Sequence, residues 1–302
     1  MDIKYSYDNK GDHILPENHN YSVPFPEKNR NLQADCENCF GLCCVALYFS
    51  SSEGFPIDKD AGQPCLNLQP DFRCCVYKNL RELGLKGCTA FDCFGAGQKV
   101  SQVSFGGYDW REFPESANKM FEVFQVMRQL HELLWYLTEA LTLQPAHIIH
   151  GPLSSMLDKT ELFTHLSPDS LMELDVVVHR ADVNTLLLET SEYVRAEAYH
   201  GRKTPPKRQK TLGGRIDLIG ADLKKTDLRG ENLRGAYLMA ADLRGLDLSG
   251  TDLIGADLRD ADLRGADLTN SIFLTQAQIN TAIGDTSTKL PSSIARPTHW
   301  GI

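Results

Sequence analysis

Three hundred and two residues exceed what one ordinary core holds, so the length points to two domains, and 42% apolar with 24% charged residues excludes a wholly disordered chain. No apolar run approaches the ~18 residues that a bilayer crossing needs, and the opening Met1-Asp2-Ile3-Lys4-Tyr5 lacks the apolar stretch of a secretory signal, so a cytoplasmic location is expected. A net charge of −9 argues against broad electrostatic binding to nucleic acid or anionic lipid.

Residues 1–33 are polar, hold Pro16, Pro24 and Pro26, and show no helical or strand period, which reads as an extended tail. A cysteine-rich segment, 34–105, follows. All nine cysteines lie between Cys36 and Cys93, and an odd number leaves any disulfide framework incomplete. In a reducing compartment such clustered thiols read as metal ligands. Gly41, Gly54, Gly62, Gly84, Gly87, Gly95 and Gly97 break up long regular elements, so bound metal would supply stability that a small core cannot.

The region 106–200 turns helical. Met120, Phe121, Phe124, Met127, Leu130, Leu134, Leu137 and Leu141 form one apolar stripe from Glu115, with Pro145 as its expected stop. Ser167-Pro168-Asp169 opens a further helix or pair of helices running to about His200. Residues 201–214 carry five basic residues, two prolines and three glycines without an acid, the composition of a linker.

From 215 to 275 leucine recurs at a strict step of five: Leu218, Leu223, Leu228 and on to Leu268, with Phe273 in phase. On an α-helix that step advances about 140° and scatters the leucines around the surface. On a strand it sends alternate leucines to opposite faces. The chain must therefore turn a corner every five residues. Small residues such as Ala236, Ala241 and Ala256 stand two before the leucine, and Asp or Asn directly before it. Glycine recurs two after it, at Gly220, Gly230 and Gly245 among others.

This unit, as in Ala221-Asp222-Leu223 and Ala256-Asp257-Leu258, resembles the A(D/N)LxG motif of the pentapeptide-repeat family. The resemblance implies a short right-handed quadrilateral β-helix, four pentapeptides per coil. Twelve units would make three coils, about 15 Å of stack. Residues twenty apart should then form columns, with Lys224, Arg244 and Arg264 in one, moderated by Asp222, Asp242 and Asp262. Ile219, Tyr237 and Met239 mark an apolar face expected to dock the N-terminal part or a protein partner. Glu231 and Leu246 break the small-residue rule, so local irregularity is expected there. Residues 276–302 read as a cap and tail, the cap a short helix from about Thr275 onward stopped by Gly284.

The thiols fall as Cys36-x2-Cys39-x3-Cys43-Cys44, Pro64-Cys65, Cys74-Cys75-Val76-Tyr77, then Cys88 and Cys93, with no histidine among them. Close pairs preorganise half a tetrahedron, and thiolates favour zinc, iron–sulfur clusters or copper(I) over hard cations. The arrangement resembles the zinc- or iron-chelating cysteine-rich (CxxCxxxCC) family. That resemblance implies ligands at Cys36, Cys39, Cys43, Cys44, Cys65, Cys74, Cys88 and Cys93, with zinc or iron, an iron–sulfur cluster included, and leaves Cys75 as an extra thiol. Arg81-Glu82-Leu83-Gly84 departs from the family's Arg-Pro.

Asp35 and Asp92 are candidate acids beside the thiols, whereas His147 and His150, spaced to share a helix face, have nothing converging on them. No nucleophile elbow, phosphate loop or His-Glu-x-x-His pair is present. The sequence thus reads as a mixed architecture: a cysteine-rich metal-binding and helical part followed by a repeat scaffold for macromolecular interaction. An iron-dependent redox or modification enzyme is the alternative, and a topoisomerase-binding immunity protein a second one.

Overall fold

The structure, a computed structural model, describes residues 32–199 and 211–301. The expected tail therefore lies outside the described residues up to position 31. Leu32 is already buried, and Gln98 Nε2 donates to Gln33 O at 2.7 Å, so the packed chain begins earlier than the expected boundary at 33.

Glycine-rich loops carry three short helical turns, α1 (Leu42–Val45), α2 (Lys86–Thr89) and α3 (Ala96–Gln98), the last running into a π-helical turn at Lys99–Ser104. The apolar stripe forms α4 (Pro114–Ala140), with proline in its first turn. It ends at Ala140, ahead of the expected stop, because Pro145 instead opens a 3-10 turn at Gln144–Ile149. A helix of this length spans about 40 Å, enough to serve two cores. Its first half, Met120 to Leu130, packs against Leu42, Val45, Ala96 and Val100 of the cysteine segment. Its second half, Leu133 to Ala140, joins the leucines of the repeat.

Helix α5 (His150–Phe163) lies between the two helical stretches marked out in the sequence; a proline in its first turn is tolerated because its N–H would lack a partner anyway. His147 lies in the 3-10 turn and His150 opens α5. Each ring reaches a local carbonyl, Gln144 O and Leu143 O. Ser167 caps α6 (Pro168–Glu173) by accepting from Ser170 N–H at 3.2 Å, and α7 (Val176–Tyr199) follows. Among the described residues no helix is long and apolar enough to cross a membrane.

The linker lies outside the described residues through 210. Its last four residues are not extended linker: Thr211–Leu212 (β1) pairs antiparallel with Arg215–Ile216 (β2) around Gly213-Gly214. Both glycines have positive φ, +57° and +79°, as a two-residue hairpin loop requires.

The repeat then stacks in twenty-residue layers. Parallel bridges join Asp217 to Tyr237, Asp222 to Asp242, Asn232 to Asp252 and Asp247 to Asp267. The sides are single-residue bridges and not β-strands, because a corner every five residues leaves one ladder position per side. Leu223 N–H donates to Asp242 O, and Asp242 N–H returns the bond to Ala221 O. The aspartates are more than exposed turn formers. Asp222, Asp242, Asp257 and Asp262 each accept, through Oδ1, from the N–H two residues on, fixing the corner. The leucines from Leu228 to Leu268 are buried. The irregularity expected at Glu231 and Leu246 is absent: Asp252 N–H still bonds Glu231 O, and Asp267 N–H still bonds Leu246 O.

Helix α8 (Gln276–Thr281) caps the stack with a reciprocal Thr275–Gln278 box. Gly284 does not stop it, since the helix ends at Thr281. A Cβ at Gly284 would lie 2.4 Å from the buried Trp300 ring, so the glycine clears space for that indole. Ile283 and Lys289 bridge to Asp262 and Asp267, giving a partial fourth layer.

The helices dock on the column of Leu233, Leu253 and Phe273. Glu139 Oε1 accepts from Phe273 N–H at 2.6 Å, and Arg195 Nε donates to Gly230 O at 2.9 Å. A Cβ at Gly250 would lie 2.5 Å from Ala198 Cβ, so that glycine serves both its own left-handed corner and the close approach of α7.

Candidate thiol site

Tight backbone turns present the cysteines. Backbone N–H groups of Gly41 and Leu42 point at the Cys39 sulfur, those of Val76 and Tyr77 at Cys74, and those of Gly95 and Gly97 at Cys93. Cys65 N–H donates to Cys44 O at 2.9 Å, pinning the Pro64-Cys65 loop beside the vicinal pair. Gly97 is required for another reason: a Cβ there would meet Cys39 Sγ at 2.6 Å.

Cys36, Cys43, Cys44, Cys74, Cys88 and Cys93 line one cavity of about 400 Å³. Cys39 stands behind its wall beside Cys93, and buried Cys65 lies within electrostatic reach of Cys44 and Cys88. Cys75 turns away, exposed, toward Asn67. Six of the eight predicted thiols thus line one cavity, Cys39 and Cys65 adjoin it, and Cys75 does not.

Burial pushes the Cys39 and Cys88 thiols up to about 11. Cys44 is raised first by its hydrogen bond with Cys43, and Cys74 by its hydrogen bond with Cys44; burial adds to both. Burial likewise raises Cys36 and Cys93. So many thiols in one place resist ionising together unless a cation joins them. Lys59 is a partial substitute. Its ammonium lies near Val45 O at 3.4 Å and senses Cys65, Cys44 and Cys43. Asp92 lines the same cavity with burial raising its carboxyl pKa, while Asp35 spends its oxygens on Glu37 N–H and the Asn38 amides.

Does this donor set fit a metal? Among the described residues no three His, Cys, Asp or Glu side chains are drawn together tightly enough to hold an ion as placed. The chemistry nevertheless suits thiophilic metals. Cys43 and Cys44 sulfurs are 3.9 Å apart, close to the ~3.8 Å between two thiolates at ~2.3 Å from a tetrahedral zinc. The amide N–H groups on three sulfurs would stabilise thiolates.

Residues far along the chain complete the cavity. Gln276 and Asn280 of α8, and Ser293 and Ala295 of the tail, form part of its wall with Trp135. Arg81 Nη1 donates to Asn280 O at 3.1 Å, and Lys86 pairs with Asp260 at 2.6 Å. The Thr275…Gln278 box signals a helix there, but nothing in the spacing places that helix beside the thiols.

The face of Ile219, Tyr237 and Met239 is not the one that the helices cover. Ile219 is exposed, Arg215 lies over the Tyr237 ring, and Arg259 Nη2 approaches Met239 Sδ at 3.1 Å. Along the neighbouring column the charges alternate. Lys224 reaches Asp242 at 3.1 Å, Arg244 reaches Asp242 at 2.6 Å and Asp262 at 3.5 Å, and Arg264 reaches Asp262 at 2.6 Å.

Comparison with known proteins gives two matches. A family model described as pentapeptide repeats, in eight copies, matches residues 216–253 and 236–273. YybG of Bacillus subtilis (strain 168) is 61% identical over 270 residues, covering 89% of this chain and 95% of its own length. No solved structure matches.

Proposed function

Since the chain belongs to one family with YybG and carries pentapeptide repeats at its C-terminal end, we propose a two-part protein in which the cysteine segment binds zinc or iron and the repeat is a scaffold for macromolecular interaction. In this reading Cys36, Cys39, Cys43, Cys44, Cys65, Cys74, Cys88 and Cys93 are the ligands. The repeat takes the right-handed quadrilateral form, and Ile219, Tyr237 and Met239 meet a protein partner. Six thiols from separate loops on one cavity, with Cys39 and Cys65 beside it and Cys75 outside it, carry the proposal. Free cysteines used as small apolar side chains would be dispersed among cores.

When bound, a thiophilic metal supplies cross-linking of the loops or, for iron, electron transfer. This chain's own residues hold the thiols in register and donate amide N–H groups to them, while α8 and the tail limit solvent access. The open volume beside Asp92 favours a second reading, an iron-dependent redox or modification enzyme.

Elemental analysis of anaerobically purified full-length protein, with its visible spectrum, tests both. Zinc or iron at one or more per chain, lost in Cys74→Ser and kept in Cys75→Ser, supports metal binding, and brown colour supports the iron reading. Metal-free protein, or equal metal in both variants, removes the proposal.

A further inference from the structure

A separate cavity of about 530 Å³ lies between the π-helical turn, α4 and α5, and no cysteine lines it. Leu32, Leu134 and Leu157 supply apolar walls. Its rim is pinned: Gln98 Oε1 accepts from Asp35 N–H at 3.2 Å, and Gln102 Nε2 donates to Asn38 O at 2.9 Å. Three basic side chains, Lys99, His131 and His165, line it. Lys99, first residue of the π turn, has its Nζ 3.3 Å from His165 Nδ1 and no carboxylate paired with it among the described residues. His131 is buried and donates Nδ1–H to Phe94 O at 2.7 Å. A carbonyl can only accept, and burial lowers the His131 pKa to about 4, so in the neutral ring Nε2 is an unprotonated acceptor on a residue that lines the cavity.

Charge decides the ligand class. The Lys99 ammonium is half-buried and loses hydration, which lowers its pKa, while Glu161, exposed at the mouth, attracts it without forming an ion pair. Asp35, the other carboxylate of the lining, has its oxygens taken by Glu37 N–H and the Asn38 amides. A partly desolvated cation whose near contact is the His165 ring and not a carboxylate favours an anion. We propose that this cavity binds an organic anion: a carboxylate on Lys99 and His165, an apolar body against Leu134 and Leu157, and a hydrogen-bond donor reaching His131 Nε2.

Titration calorimetry of the full chain with 4-hydroxyphenylacetate, and with its neutral analogue 4-hydroxyphenylethanol, tests this. Saturable one-to-one binding is expected, weakened about tenfold or more for the neutral analogue and in Lys99→Met. No saturation by ~10 mM, or equal affinity for the two probes on the unaltered chain, overturns it, even if Lys99→Met fails to fold. Equal affinity in a folded Lys99→Met overturns it as well.

Discussion

The repeat stack and the cysteine segment are both poor in regular strands and long helices, yet they achieve order in opposite ways. In the stack, backbone donors such as Leu223 and Asp242 N–H find acceptors one layer away, others close turns within the layer, and the leucines recur every twenty residues in the buried interior. Order there is redundant. The cysteine segment has α1, α2 and α3, each of three or four residues, and little else of its own. Its parts are held at a convergence point, between α4 on one side and α8 on the other. A redundant structure fails by degrees; a convergent one should fail together.

The sharpest test of that contrast is removal of the proposed metal by a chelator under reducing conditions. A structural zinc site contributes on the order of 10 kcal/mol of folding free energy. Amide exchange should then rise across 34–105 while the buried layer from Leu238 to Leu268 stays protected. Uniform loss of protection, or none, would break the comparison.

Redundancy should end where the stack meets the helices. The Asp252 side chain is fully buried, and Arg234, 14% exposed, pairs with it at 2.9 Å while also reaching Asn184 of α7. Arg234→Ala strands a buried carboxylate, and a loss of about 3 kcal/mol in urea unfolding is expected. A cost near zero would mean that Asp252 is served by its bond from Ile254 N–H and solvent alone.

The Glu139 contact brings pH into the same interface. Burial lifts this carboxyl from its ordinary 4.5 to about 8. The folded chain therefore binds a proton that the unfolded chain releases. The associated stability is complete below about pH 4.5 and is lost as pH rises through 8. The loss should be on the order of a few kcal/mol. Glu139→Gln keeps an oxygen for Phe273 N–H and should flatten that slope between pH 5 and 8, read from unfolding midpoints. An unchanged slope would assign it elsewhere.

How much of this was visible in the sequence follows the same division. The five-residue step identifies Leu223 to Leu268 as interior, and the preceding Asp as a corner residue, because the repeat's geometry is local. Ser167 marks its helix start for the same reason, since a cap bonds three residues away. The spacing brings the thiols into one segment, and six of them line one cavity that excludes Cys75. The wall made by Gln276 and Asn280 was not legible, because nothing local records which distant surface a helix meets. The roles of Gly250 under α7 and Gly284 under Trp300 were hidden likewise: both look like ordinary punctuation until a neighbour's atoms are placed beside them. Beyond the repeat the bridge interval lengthens from 20 to 21 and 22, at Asp262–Ile283 and Asp267–Lys289, and the periodic signal disappears although the layer continues.

The smallest effect is expected on the charged column. Arg244 holds Asp242 well below the usual carboxylate range by a direct hydrogen bond, with Lys224 adding to it. Yet both groups face solvent, where water already serves the separated charges and salt screens the pair. Arg244→Gln should thus lower the urea midpoint at pH 7 only slightly, in step with a small upward movement of the Asp242 titration followed by carboxyl carbon chemical shift. If both change strongly, the column is a fastening of the stack and not a solvated stripe. Redundancy would then reside in the side-chain ladder as much as in the backbone.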